Sequence, residues 1–87
     1  MKIKDGFVVR EIADEFIVVP TGEMALQLNG LITINETGYF LWQKLSGETD
    51  EDALIQAMMD EYEVDRETAG ADISEFLDVL RKCDILE

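Results

Sequence analysis

An α+β fold is predicted for this 87-residue chain by three observations. Short β-branched and aromatic runs occupy its first third, apolar residues at helical spacing occupy the rest, and Asn35 marks the change between them. The expected architecture is a small antiparallel sheet of three to four strands followed by three helices, within one domain over residues 1–87, since domains rarely fall below about 50 residues. A chain this short buries roughly 60–65% of its unfolded surface, so its core is thin.

The elements follow in order. FVVREI (7–12) and FIVV (16–19) read as paired strands around a polar Ala13-Asp14-Glu15 turn. Pro20 cannot donate to a ladder and closes the second strand, with Thr21-Gly22-Glu23 as a further turn. MALQL (24–28) alternates, placing Leu26 and Leu28 on one face and Ala25 and Gln27 on the other. Asn29-Gly30 is either a type I′ hairpin turn or a kink in one longer strand, and LITI (31–34) then places Ile32 and Ile34 on one face.

Asn35 suits a helix N-cap because its side chain accepts a bond from a free amide of the first turn, and Glu36 favours the positive end of the helix dipole. Gly38, Leu41, Trp42 and Leu45 form the apolar side of that first helix, Phe40 lies nearly opposite, and Gly47 is placed to end it. Thr49 and Asp52 resemble a capping box opening a second helix over about 50–62, with Leu54, Ile55, Met58 and Tyr62 on its apolar face. Asp65 caps a third helix over about 66–83 with the stripe Ala69, Ile73, Phe76, Leu77, Leu80 and Cys83. Arg81 and Lys82 complement its C-terminal dipole, and Ile85 and Leu86 are expected to fold back onto the core. Strands followed by three helices make a domain of the winged-helix kind.

Composition limits the function. The net charge is −13, and residues 48–87 hold fourteen of the twenty acidic groups. Such a field repels nucleic-acid phosphate and anionic lipid, and attracts basic peptides or protein surfaces. The third helix has Glu67, Asp72, Glu75 and Asp78 and no basic residue between Arg66 and Arg81, which opposes a DNA-recognition role. No stretch approaches the ~18 apolar residues of a membrane span, and MKIKDGFVV has no apolar core of the signal-peptide kind. One cysteine, Cys83, excludes an internal disulfide and suits a reducing cytoplasm. Without histidine, paired cysteines, a phosphate-binding glycine loop or carboxylates paired in an apolar setting, neither an enzyme nor a bound cofactor or metal is expected.

A sheet edge offers another activity. An unpaired edge accepts a second chain's backbone, with guest side chains entering pockets. The segment from Met24 to Ile34 is placed to make such an edge beside the third helix, with apolar walls from Leu26, Leu28, Ile73, Phe76 and Leu80 and an acidic rim from Asp72 and Glu75. A peptide with apolar anchors and basic flanks suits that surface. The same side chains also serve simply as core: Phe76 and Leu80 read first as core, whereas Val79 and Asp72 sit on the stripe's shoulders, where both readings apply.

Across almost its whole length the chain resembles the PqqD-like family, named for a small protein of pyrroloquinoline quinone biosynthesis. The resemblance rests on an ordered set of short motifs: Ile32-Thr33-Ile34-Asn35-Glu36-Thr37-Gly38, Leu41-Trp42, Gly47, Leu54, Tyr62-Glu63-Val64-Asp65, Asp72, Phe76-Leu77, Leu80 and Ile85-Leu86. It implies a RiPP recognition element, a winged-helix-like domain that binds the leader of a ribosomally made precursor peptide. The leader is then presented to a modifying enzyme, often a radical S-adenosylmethionine enzyme. It also implies that the leader adds as a strand to the third strand and packs on the third helix. In this sequence that maps to Ala25, Leu26, Gln27 and Leu28, or to Leu31 and Ile32 through Ile34, together with Asp72, Ile73, Phe76, Val79, Leu80 and Cys83. The sequence departs from the family where Cys83-Asp84 replaces a small residue and glycine, and Gly70 inside the third helix costs about 1 kcal/mol relative to alanine.

The resulting expectation is a non-catalytic peptide chaperone of the cytoplasm, binding a precursor leader and docking on a modifying enzyme, with no nucleic-acid or membrane partner. A homodimer is possible through Phe40, if exposed, or through strand–helix exchange. The rival is an acidic regulatory or scaffold protein binding a basic protein partner by charge alone.

Overall fold

A computed structural model describes residues 1–22 and 32–87. Three strands, β1 (Phe7–Ile12), β2 (Glu15–Pro20) and β3 (Ile32–Ile34), form an antiparallel sheet in the order β1-β2-β3. Three helices follow: α1 (Glu36–Lys44), α2 (Glu51–Glu61) and α3 (Arg66–Lys82). The predicted α+β fold is therefore present. The strand expected at Met24 to Leu28 and the Asn29-Gly30 junction lie outside the described residues.

Register explains which strand residues enter the core. Val18 stands opposite both Val9 and Ile32, and Phe16 opposite Ile34, so these side chains share the face turned toward the helices. Val18 and Ile34 are buried there, while Val8, Ile12 and Thr33 on the other face are exposed. The β1–β2 connection is shorter than expected. Ile12 pairs with Glu15, leaving Ala13 and Asp14 as a two-residue turn with φ of 52° and 68°. Positive φ at both positions is the type I′ geometry that suits the twist of paired strands.

The helices begin on side-chain caps. Asn35 Oδ1 accepts from Gly38 N at 2.8 Å and Asp65 Oδ1 from Thr68 N at 2.7 Å, both as expected. The second cap differs: Asp50, not Thr49, accepts from Ala53 N at 2.8 Å. Thr49 is engaged elsewhere, its N–H donating to Met1 O at 3.0 Å and its carbonyl accepting from the Met1 amine at 2.8 Å. Gly47 does not terminate α1 either. Leu45 is the C-cap in a right-handed conformation, its N–H donating to Leu41 and Gln43 carbonyls, so no left-handed glycine is needed.

Neither Gly70 nor Cys83-Asp84 interrupts α3, which runs to Lys82. A Cβ at Gly70 would meet Ile55 Cδ1 at 3.7 Å, an ordinary contact. After the C-cap Cys83, Asp84 takes φ 58°, the left-handed position usually given to glycine. Ile85 N donates to Leu80 O at 2.9 Å and Asp84 N to Arg81 O at 3.1 Å, the paired bonds of a Schellman turn. That turn buries Ile85 and brings Leu86 against Ile3 in an antiparallel bridge, so the chain end folds back as expected.

The core gathers Val18 and Ile34 from the sheet, Leu41, Trp42 and Leu45 from α1 and its cap, Leu54, Ile55 and Met58 from α2, and Ala69, Ile73, Leu77 and Leu80 from α3. Phe40 is half-buried rather than bare: Tyr62 meets its ring edge-on at 5.5 Å and the Lys44 ammonium lies 5.3 Å from its centroid. Among the described residues no helix is long and apolar enough to cross a membrane.

Candidate functional site

β3 lies at one side of the sheet, paired with β2 alone among the described strands. Its three residues run directly into α1 because Asn35 takes an extended conformation (φ −86°, ψ −177°) while its side chain starts the helix. This sharp junction brings the start of α1 beneath the strand and opens a cleft toward α3.

The cleft has a volume of about 350 Å³. Ile32, Thr33 and Ile34 form its strand side, Asn35, Thr37, Gly38 and Leu41 its base, and Asp72, Glu75, Phe76 and Val79 its α3 wall. Ile34 and Leu41 are buried, so their contribution is an apolar floor. The half-buried Phe76 ring reaches across that floor to Gly38, where a Cβ would lie 3.1 Å from its Cε1 and 3.1 Å from Ile34 Cβ. A side chain at residue 38 would crowd this part of the lining. Asp72 and Glu75 are exposed at the rim, and no ion pair among the described residues uses either carboxylate.

Ile32, Asp72, Phe76 and Val79, singled out from the sequence, all line this cleft. Ile73 and Leu80 are fully buried in the core behind it, because they occupy the centre of the α3 stripe and not its shoulder. Cys83 is half-buried at the helix end and does not line the cleft. Ala25, Leu26, Gln27, Leu28 and Leu31 lie outside the described residues. Thr33 falls within the Leu31 to Ile34 stretch expected to meet the guest, whereas Thr37 and Gly38 were not singled out as binding residues. The signal for Gly38 was present in its place one turn below the strand and opposite the α3 stripe, where a missing side chain leaves space.

Two titratable groups near the helix ends are perturbed. Burial raises the Tyr62 phenol, with the Glu36 and Glu61 carboxylates adding to the effect. The Thr68 amide hydrogen bond holds the Asp65 carboxyl below its ordinary range.

The family described as coenzyme PQQ synthesis protein D (PqqD) matches residues 15–86. The chain belongs to the PqqD family. Its second and third strands, its three helices and the cleft between β3 and α3 all fall within the matched PqqD region. Among solved structures, TbiB1 in complex with the TbiA(beta) leader peptide superposes with a TM-score of 0.77 at 28% identity, covering 100% of this chain and 95% of TbiB1. A lasso peptide synthetase B1 complexed with the leader peptide superposes with a TM-score of 0.71 at 20% identity, covering 93% and 89% of the two chains, and shares the fold. No curated protein matches the sequence.

Proposed function

We propose that this PqqD-family chain is a RiPP recognition element: residues 1–87 act as one non-catalytic unit that captures a precursor's leader peptide as an added strand. The observation that carries the reading is the cleft between the outer side of β3 and α3, with an apolar floor and an acidic rim. Two chains of similar architecture were solved with leader peptides, which supports assigning the same class of guest here.

The mechanism needs no proton transfer. Unpaired main-chain groups of an edge strand exchange hydrogen bonds with an extended guest, which gives affinity for peptide backbone without regard to sequence. Apolar guest residues then descend alternately onto Phe76 and Leu41, supplying selectivity by burial. The flanking carboxylates Asp72 and Glu75 favour a guest with basic residues and disfavour an acidic one. Held in this way, the leader presents the precursor's core to a modifying enzyme, which the family resemblance suggests is a radical S-adenosylmethionine enzyme. A cytoplasmic location fits that partnership. The binding set among the described residues is Ile32, Asp72, Phe76 and Val79, backed by Ile73 and Leu80.

An amide NMR titration with the leader portion of a precursor encoded beside the gene tests the reading. Saturable shifts concentrated at 32–38 and 72–79 are expected. Shifts scattered over the acidic helices and abolished by moderate salt would overturn it in favour of a charge-driven scaffold.

A further inference from the structure

A second cleft meets the first at the end of β3. Where the β1–β2 turn approaches the start of α1, Phe16 and Tyr39 stack with centroids 4.4 Å apart and planes 10° from parallel. Glu11, Asp14, Glu15 and Glu36 stand around this aromatic pair and enclose a more open volume of about 860 Å³. Both clefts include Thr33, Ile34 and Asn35, so they adjoin at the strand's end.

Among the described residues, the lining holds four carboxylates and no lysine or arginine. The ion pairs among those residues are Met1–Glu48, Lys4–Asp84 and Arg81–Asp78, so none of them engages the four carboxylates. Phe16 and Tyr39 are each half-buried and present ring surface beside those charges. A cation gains from aromatic faces and from carboxylates together, whereas an apolar or anionic side chain gains from only one of them or neither.

We propose that this second cleft receives a lysine or arginine side chain of the same peptide that lies along β3, placed outside the apolar anchors on the Asn35 side. The inference rests on the strand-capture reading and adds a chemical requirement to it. Because the clefts adjoin, a single guest suffices: an added strand advances about 3.3 Å per residue, so a few residues past the Phe76 anchor its side chains reach the second cleft. For a guest antiparallel to β3 the cation precedes the anchors in sequence; for a parallel guest it follows them.

Selection of binders from a library of random linear peptides tests this whatever the natural guest. Binders are expected to carry an apolar pair with lysine or arginine at a fixed offset on one side. For such a binder, Glu11→Gln combined with Glu15→Gln should raise Kd about fivefold, an effect of the size expected for partly exposed charge pairs. Replacing the peptide's cation by norleucine should remove that difference between wild type and variant. Binders with no positioned cation, or an equal loss with norleucine, would overturn the second cleft's role. Strand capture would survive that result if the binders still weaken on Val79→Asp, a change in the first cleft alone. Binders indifferent to Val79→Asp, or no binders at all, would overturn strand capture and this inference with it.

Discussion

Phe76 on α3 lies so close to Gly38 on α1 that a single methyl at residue 38 would stand 3.1 Å from its ring. Both residues line the cleft beside β3. Gly38 also donates its N–H to the Asn35 cap, and its own Cβ would press within 3.3 Å of that cap's oxygen. One glycine therefore serves the helix start and leaves room for the Phe76 ring in the lining of the cleft.

Gly38→Ala should accordingly be destabilising, although alanine is the better helix former. Ile34 Cβ is fixed to the strand and Asn35 Oδ1 is tied into the cap, so neither yields easily. Overpacking of this kind costs about 1–3 kcal/mol, less about 1 kcal/mol gained in helix propensity, for a net loss of up to about 2 kcal/mol. Urea denaturation measures it, and a stability above wild type would contradict the packing described here.

Gly70→Ala has the opposite sign. Its new methyl would make only an ordinary contact with Ile55, at 3.7 Å, inside α3. A gain of about 0.5–1 kcal/mol is expected from propensity alone, visible as a higher thermal midpoint. A lower midpoint would mean that the α2–α3 contact is tighter than the structure indicates.

At the end of α3, Asp84→Gly should stabilise and Asp84→Val should destabilise. Glycine removes the left-handed strain of φ 58°, worth about 1–2 kcal/mol for a residue with a side chain, and less for aspartate. It also loses the exposed Lys4–Asp84 pair at 2.6 Å, worth at most about 1 kcal/mol, so the net gain is small, about 0.5 kcal/mol. A β-branched residue worsens the strain and loses the pair as well. Thermal unfolding of the two variants should place wild type between them.

The Asp65 cap predicts a pH dependence. Its folded carboxyl ionises below the ordinary aspartate range because the Thr68 amide bonds to the charged form. The cap's charge therefore stabilises the fold fully above the unfolded carboxyl range, near pH 4, and this contribution fades as pH falls through the lower folded value. Asp65→Asn retains a capping oxygen but does not titrate, so its stability should fall less than wild type's between about pH 5 and 2. Parallel pH profiles would remove Asp65 from the acid transition.

What was legible in the sequence was mainly local. Asn35 and Asp65 announced their helices because an N-cap is a contact across three residues, and the α3 stripe announced its buried face by period alone. Thr49 misled because its backbone is held by Met1, a partner far away in sequence. The Ala13-Asp14 turn lacked the glycine or asparagine that signals a type I′ turn, so its length was not readable from residue type. Within the site, Phe76 and Val79 differ from Ile73 and Leu80 only by their place across the stripe, and which shoulder stays open depends on where β3 docks. Thr37 joins the cleft through that same docking, which a short polar residue does not encode.

The central claim is strand capture beside β3, and the most direct test is affinity for a leader peptide that carries a single proline, moved residue by residue along its length. Proline removes a backbone donor and is excluded from the interior of a ladder. The account predicts a short window in which proline abolishes binding at low and at moderate salt alike, with full affinity restored outside it. Affinity indifferent to proline at every position and lost on adding moderate salt would contradict strand capture and leave charge alone as the basis of binding.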